Sequence, residues 1–243
     1  MPGKRRVDSY LPAWQHVTVC IENIGYVMDA QVALRHARGK PYAETFRCPA
    51  GQLSLDFCNT GQGARNANGS EWLADYDDLA GWLRAAGALS DSQAGQLRRI
   101  AAGSPKAARE VWQRALRFRD ALFNALHARV HGRPAKRDDL ALIEAEHLRS
   151  APHASLSWDG SAYAWSLDAS LSDLDATMQP LAESALQMLT SPRLDRLSRC
   201  GNETCHWLFL DETRNRSRRW CEMASCGNLL KVRRHRERRR LGR

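Results

Sequence analysis

The clearest chemistry in this chain belongs to four cysteines near its C-terminal end. Cys200 and Cys205 form one C-x4-C pair, Cys221 and Cys226 form a second, and 15 residues separate the two. Each pair closes a short chelate loop on one edge of a metal ion, and the spacer brings the two edges together. Zinc takes four tetrahedral ligands, and thiolates satisfy a closed structural site at ~2.3 Å. Four thiolates leave no open coordination position, so the spacing predicts one structural Zn²⁺ and no metal-bound water for catalysis. The segment is too short to bury a core of its own. Metal binding must then supply much of its folding free energy, on the order of 10–16 kcal/mol in comparable peptides.

The residues around the ligands fit that reading. Four thiolates and one Zn²⁺ carry a net negative charge, and Arg199, Arg218 and Arg219 stand next to or near them. Trp207 and Phe209 alternate in His206-Trp-Leu-Phe-Leu-Asp211 as in a short strand, and Trp220 precedes Cys221. These aromatics are expected to make a mini-core beside the metal rather than to stack on bases. His206 is expected to be an ordinary polar residue, since four cysteines already complete the site. Arg214, Arg216, Arg218 and Arg219 lie between the pairs, and Lys231, Arg233, Arg234 and Arg236 begin a basic tail after the last ligand. Arginine's planar fork suits phosphate and the guanine edge, so these eight residues are the candidate nucleic-acid contacts. Nothing in them specifies a base sequence.

The charge distribution sharpens this expectation. Residues 193–243 hold 15 Lys/Arg against 6 Asp/Glu, which accounts for the whole net charge of +9, and the other 192 residues are balanced at 21 of each. A neutral body with a basic end implies a polyanionic partner that meets that end.

The elements that must position the module read mainly as helices. Leu53, Leu55 and Phe57 alternate with polar residues, which suits a short strand or an amphipathic first turn. Gly61 to Gly69 marks a loop. Asp75 caps a helix to Ala86 that Gly87 ends, Ser90-Asp91 caps another through Ile100, and Ser104-Pro105 opens a long one that Gly132 and Pro134 stop. Asp138 opens a further helix. Two alternating segments flank Asp159-Gly160 between Leu156 and Leu167, a hairpin signal. Ser172 begins the last helix of the body, which Pro180 is expected to kink or split. The predicted fold class is mainly α: a helical N-terminal domain (47–192) with a small β-hairpin, then a zinc-ribbon-like four-cysteine module with a basic tail (193–243). Residues 1–46 lack a clear cap or period and are expected to be a disordered leader.

Several function classes are excluded or disfavoured. No apolar run is long enough for a transmembrane helix. Lys4, Arg5 and Arg6 are not followed by an apolar stretch of signal-peptide type, so a cytoplasmic protein is expected. An odd total of seven cysteines argues against a disulfide framework. No nucleophile elbow, phosphate loop or His-Glu metal motif is present, so no enzyme is expected. His127 and His131 stand at i, i+4, a spacing more often solvent-facing than metal-binding. Asp56, Asn59 and Thr60 cluster near the start of the body, and Asp56 and Asn59 are expected to cap or brace the first helix.

Two stretches resemble known families. Cys200-x4-Cys-x-Trp-x-Phe-x-Asp211, Arg214-Asn-Arg-Ser-Arg-Arg-Trp-Cys221 and Met223-x-x-Cys-Gly-Asn228, with the basic tail, look like the CGNR zinc finger. Leu53-Ser-Leu-Asp-Phe-Cys-Asn-Thr60 and Leu79-Ala-Gly-Trp-Leu83 resemble the start of the ABATE domain. The resemblance implies a bacterial stress-induced transcription regulator, with cysteine-bound zinc, duplex DNA as partner and a small-molecule or protein effector for the helical domain. RNA binding or protein docking by the finger stays open as the alternative. Leu229 stands where the finger's name-giving arginine would be, which removes one expected contact and leaves the ligand set intact. Gly227 and Asn228 are expected to serve a tight or left-handed turn.

Overall fold

The computed structural model describes residues 48–61, 71–158, 160–168, 171–203 and 205–240, the side chains of 233 and 234 excepted. The expected leader 1–46, most of the loop after Gly61, Asp159 and the side chains of Arg233 and Arg234 lie outside the described residues.

The first element corrects one reading. Leu53–Gly61 is an α-helix, α1, not a strand, and Ser54 through Thr60 are all buried. A helix enclosed on every side has no solvent face, so its hydrophobic pattern carries no helical period. Its polar residues are matched one by one. The Ser54 backbone N–H donates to Ser184 Oγ at 3.0 Å, and the Ser54 hydroxyl donates to the Ser184 carbonyl at 3.2 Å. The Thr60 hydroxyl donates back to the Phe57 carbonyl at 2.7 Å.

Four amphipathic helices form the scaffold with α1. Asp75 caps α2 (Tyr76–Ala85) by accepting from the Asp78 N–H, and Gly87 leaves it at φ +72°. A Ser90/Gln93 capping box starts α3 (Asp91–Gly103). Pro105 opens the 26-residue α4 (Pro105–Val130), which turns its Val111, Ala115, Phe118, Leu122 and Leu126 stripe to the core and ends before Gly132 at φ +66°. Next come α5 (Arg137–Ser150) and a hairpin of β1 (Ala154–Trp158) and β2 (Tyr163–Leu167).

The hairpin is antiparallel, with Ala154 opposite Leu167 and Trp158 opposite Tyr163. Its connection is therefore residues 159–162, longer than a two-residue turn on Asp159-Gly160. The large apolar residues of one face, Leu156, Trp158, Tyr163 and Trp165, are exposed. Alternation identified the strands, but not a buried face.

Pro180 splits the last body helix as expected. A 3₁₀ turn (Leu174–Thr177) precedes α6 (Met178–Thr190), so Pro180 occupies the first α-turn, where its missing N–H has no partner to lose. Helix α1 packs between α4 and α6, and α5 packs on both. Phe57 anchors the centre, 5.5 Å from the Trp82 ring and 6.4 Å from Phe118. Among the described residues no helix is long and apolar enough to cross a membrane.

The C-terminal module consists of β3 (Leu197–Arg199), β4 (Leu208–Leu210), a π-turn (Met223–Gly227) and α7 (Asn228–Arg240). Strands β3 and β4 are antiparallel, and all of β4 is buried. It is buried because it lies against α1. Asn59 joins the two with a matched pair of hydrogen bonds, its amide donating to the Leu208 carbonyl and its carbonyl accepting the Leu208 N–H, each at 2.9 Å. The Leu210 N–H reaches the Ala50 carbonyl at 3.3 Å, and the Trp207 ring meets Trp72 edge-on at 6.3 Å. The buried residues of body and module form one continuous core.

Candidate metal centre and nucleic-acid interface

The β3–β4 turn and the π-turn bring the four cysteines together. The sulfur atoms of Cys200, Cys205, Cys221 and Cys226 all lie within 4.8 Å of one another, and all four residues are buried. Cys205 and Cys221 are 3.7 Å apart at sulfur, and so are Cys221 and Cys226. Two thiolates on one tetrahedral zinc at ~2.3 Å stand ~3.8 Å apart, so the cage has the size the ion requires. Hydrogen bonds with the Cys205 and Cys221 thiols hold Cys200 down at about 7, and those with Cys200, Cys205 and Cys221 lower Cys226, while Cys205 and Cys221 are pushed up. Four thiols this close ionise together only around a cation.

The frame around the ligands is made of backbone and one amide. The Cys200 N–H donates to the Trp207 carbonyl and the Gly201 N–H to the Arg219 carbonyl, both at 2.8 Å. The Asn202 amide donates to the Cys226 sulfur at 3.6 Å. Gly227 has a different reason from the one expected. It closes the π-turn without a positive φ, and a Cβ there would sit 2.7 Å from the Met223 sulfur and 3.1 Å from the Trp220 ring. Close approach to Met223 and Trp220, not left-handed backbone, is what a side chain here would meet. Asn228 at φ −69° simply starts α7. Trp207 and Phe209 are buried in the mini-core, as the alternation predicted, and are closed to base stacking. His206 is exposed, with its ring 3.5 Å from an Arg199 nitrogen, and lies outside the cysteine cage.

The arginines divide into two groups. Arg218, one of the candidate nucleic-acid contacts, is engaged within the protein. Its guanidinium donates to the carbonyls of Trp220 (3.1 Å), Leu210 (3.2 Å), Pro49 (3.0 Å) and Cys221, and lies 4.4 Å over the Phe209 ring. The guanidinium therefore holds the finger to itself and to the start of the body.

Arg214, Arg216 and Arg219 are exposed. Their loop is tied down by the buried carboxylate of Asp211, which accepts from the N–H groups of Thr213 (3.0 Å) and Arg218 (2.8 Å). Burial opposes ionisation of Asp211, but these bonds and the Thr213 hydroxyl outweigh it and hold the carboxyl below its ordinary range. The Ser217 N–H caps onto the Thr213 hydroxyl at 3.0 Å, and Arg216 takes φ +51°. The result is an ordered turn with its arginines outward. Helix α7 continues the basic surface. Lys231 and Arg236 are exposed, as are Arg238, Arg239 and Arg240, and Leu229 and Val232 are exposed beside them.

Asp211, Asn202 and Asn59 were not anticipated in these roles. Asp211 and Asn59 lie inside the quoted motifs, and their signal was a short polar side chain fixed within an otherwise apolar stretch. Asp56 does brace the start of α1, accepting the Ala50 N–H at 2.9 Å. Its burial pushes its pKa up to about 8, against the lowering effects of the Ala50 N–H and the Arg218 charge. Thr60 joins a second buried network, in which Arg119 donates to its hydroxyl at 3.2 Å and grips Glu71 with two bonds of 2.7 Å.

Comparison with known families agrees with this architecture. A family model described as "Putative stress-induced transcription regulator" (ABATE) matches residues 51–192, and the CGNR zinc finger model matches residues 196–239. No curated protein matches the chain. Because the first match covers more than half of the sequence and the second falls on the four-cysteine cage, the chain belongs to the ABATE family and ends in a CGNR zinc finger that is built to hold one zinc ion.

Proposed function

We propose that this protein is a cytoplasmic transcription regulator whose zinc finger docks on duplex DNA while its helical body receives a signal or a partner. One observation carries the reading: the chain's excess positive charge is confined to the zinc module and is presented outward from an ordered turn. Arg214, Arg216 and Arg219 stand on that turn, and α7 extends Lys231, Arg236 and the basic residues that follow. Zinc orders the turn, the turn aims the arginines, and the arginines meet phosphate. Phosphate contacts of this kind supply affinity and steep salt dependence without sequence readout. The slightly acidic body adds no attraction, so it is free to read something else. The family description as a transcription regulator supports the same reading.

The test is zinc content and duplex-DNA binding of the full chain beside Cys221→Ser, with structured RNA and an acidic protein as competitors. The reading expects one zinc per chain, and loss of both metal and DNA binding in the variant. Preferential displacement of duplex DNA by structured RNA would transfer the finger to the RNA reading. Zinc without any nucleic-acid binding would make it a docking module.

A further inference from the structure

The last turn of α4 carries His127 and His131, one helical turn apart, and their rings converge. The two Nε2 atoms are 3.2 Å apart. Two imidazole nitrogens on one transition-metal ion at ~2.0–2.1 Å stand roughly 2.9–3.4 Å apart, for bond angles from 90° to tetrahedral. The pair therefore already has the bite of a chelate. The Phe123 ring stacks on His127 at 5.5 Å and 20°, which fixes the orientation of one ligand from the helix side. His127 is half-buried and His131 exposed, so the converging nitrogens are open to solvent. The site also sits at a helix C-terminus, where the helix dipole favours a cation.

We propose that His127 and His131 form a second metal site, separate from the four thiolates, for a divalent transition-metal ion such as Zn²⁺ or Ni²⁺. Imidazole is the ligand class that suits these ions. Water or a mobile neighbour completes the coordination. Burial lowers the His127 pKa, and its neighbours His131, Arg199, Arg133 and His206 lower it further. Both effects favour the unprotonated ring that a metal needs. Arg199 on β3 and Arg133 beyond the end of α4 repel a dication. The site is therefore weaker than the cysteine cage and fills after it. Because α4 packs against β3, a metal here sits at the seam between the helical body and the finger.

The test is calorimetric titration of Zn²⁺ into the zinc-loaded full chain, with His127→Gln, His131→Gln and, as control, His147→Gln on α5. The proposal expects a second, weaker equivalent in the wild type. Each of the first two variants should weaken it by at least about tenfold, since loss of a ligand costs no less than loss of a residue that supports one. The control should leave it unchanged, and retention of the first zinc shows that each variant is folded. A wild type that takes up one equivalent only, or a second equivalent that both variants retain, overturns the proposal.

Discussion

Arg216 and Arg218 are two residues apart and do opposite work. Arg218 spends its guanidinium on buried carbonyls and the Phe209 ring, whereas Arg216 projects from a turn that Asp211 holds. Truncating Arg218 leaves several carbonyls without a donor, so Arg218→Ala should lower stability by about 2–3 kcal/mol. Arg216→Ala should stay within about 0.5 kcal/mol of wild type and weaken nucleic-acid binding. Chemical denaturation of the zinc-loaded variants measures the first effect, and duplex titration the second. Asp56 makes a prediction of different form. Burial raises its pKa from an ordinary 3.8 to about 8, so the folded chain holds a proton that the unfolded chain releases. Stability contributed by this group is present below about pH 4, declines as pH rises through the interval, and levels off above about pH 8. Asp56→Asn should flatten that part of the pH profile, and thermal melts from pH 5 to 9 would show it.

At the scale of elements, the seam between body and finger rests on α1 and β4. Asn59 satisfies both main-chain groups of Leu208, and both ends of that pair are buried. Asn59→Ala leaves a buried N–H and a buried carbonyl unmet, which should cost about 2–4 kcal/mol. It should also loosen zinc, because β4 leads directly from the Cys200–Cys205 chelate loop. Chelator competition beside denaturation would register both effects, and wild-type zinc retention would contradict the coupling. The same seam marks where sequence reading ran out. Helices with one wet face, such as α2, α3 and α4, announced themselves by caps, glycines and stripes. Helix α1 did not, because it is dry on all sides and its Ser54 and Asn59 answer to partners more than a hundred positions away. The cysteine spacing located the metal cage, since chelation is a local property. The role of Arg218 was hidden for the opposite reason, because its carbonyl partners include Pro49, 169 residues upstream. The hairpin was legible as strands, but its exposed apolar face depends on what the rest of the fold leaves uncovered.

At the scale of the whole molecule, one core carries two surfaces of different character. The helical body (47–192) is slightly acidic, with 15 Lys/Arg against 17 Asp/Glu, and holds a partly buried Arg119–Glu71 pair and an Arg114–Glu146–Asp175 network. The finger is basic and depends on its metal. Zinc removal should therefore unfold the finger while α2 to α5 persist. Circular dichroism after chelation should show most of the helix retained and the signal of the buried Trp207 lost. Complete loss of helix would mean that the body cannot stand without the metal.

The central claim is that zinc-ordered arginines on the finger turn bind DNA phosphate. Its most direct test is the salt dependence of duplex binding by the zinc-loaded full chain, beside a combined Arg214→Ala, Arg216→Ala and Arg219→Ala variant. The account predicts binding that weakens linearly in log salt, with a slope shallower in the variant by about 0.9 for each phosphate contact removed, and zinc content unchanged. Absence of duplex binding at low salt with zinc in place, or an identical slope in the variant, would contradict it.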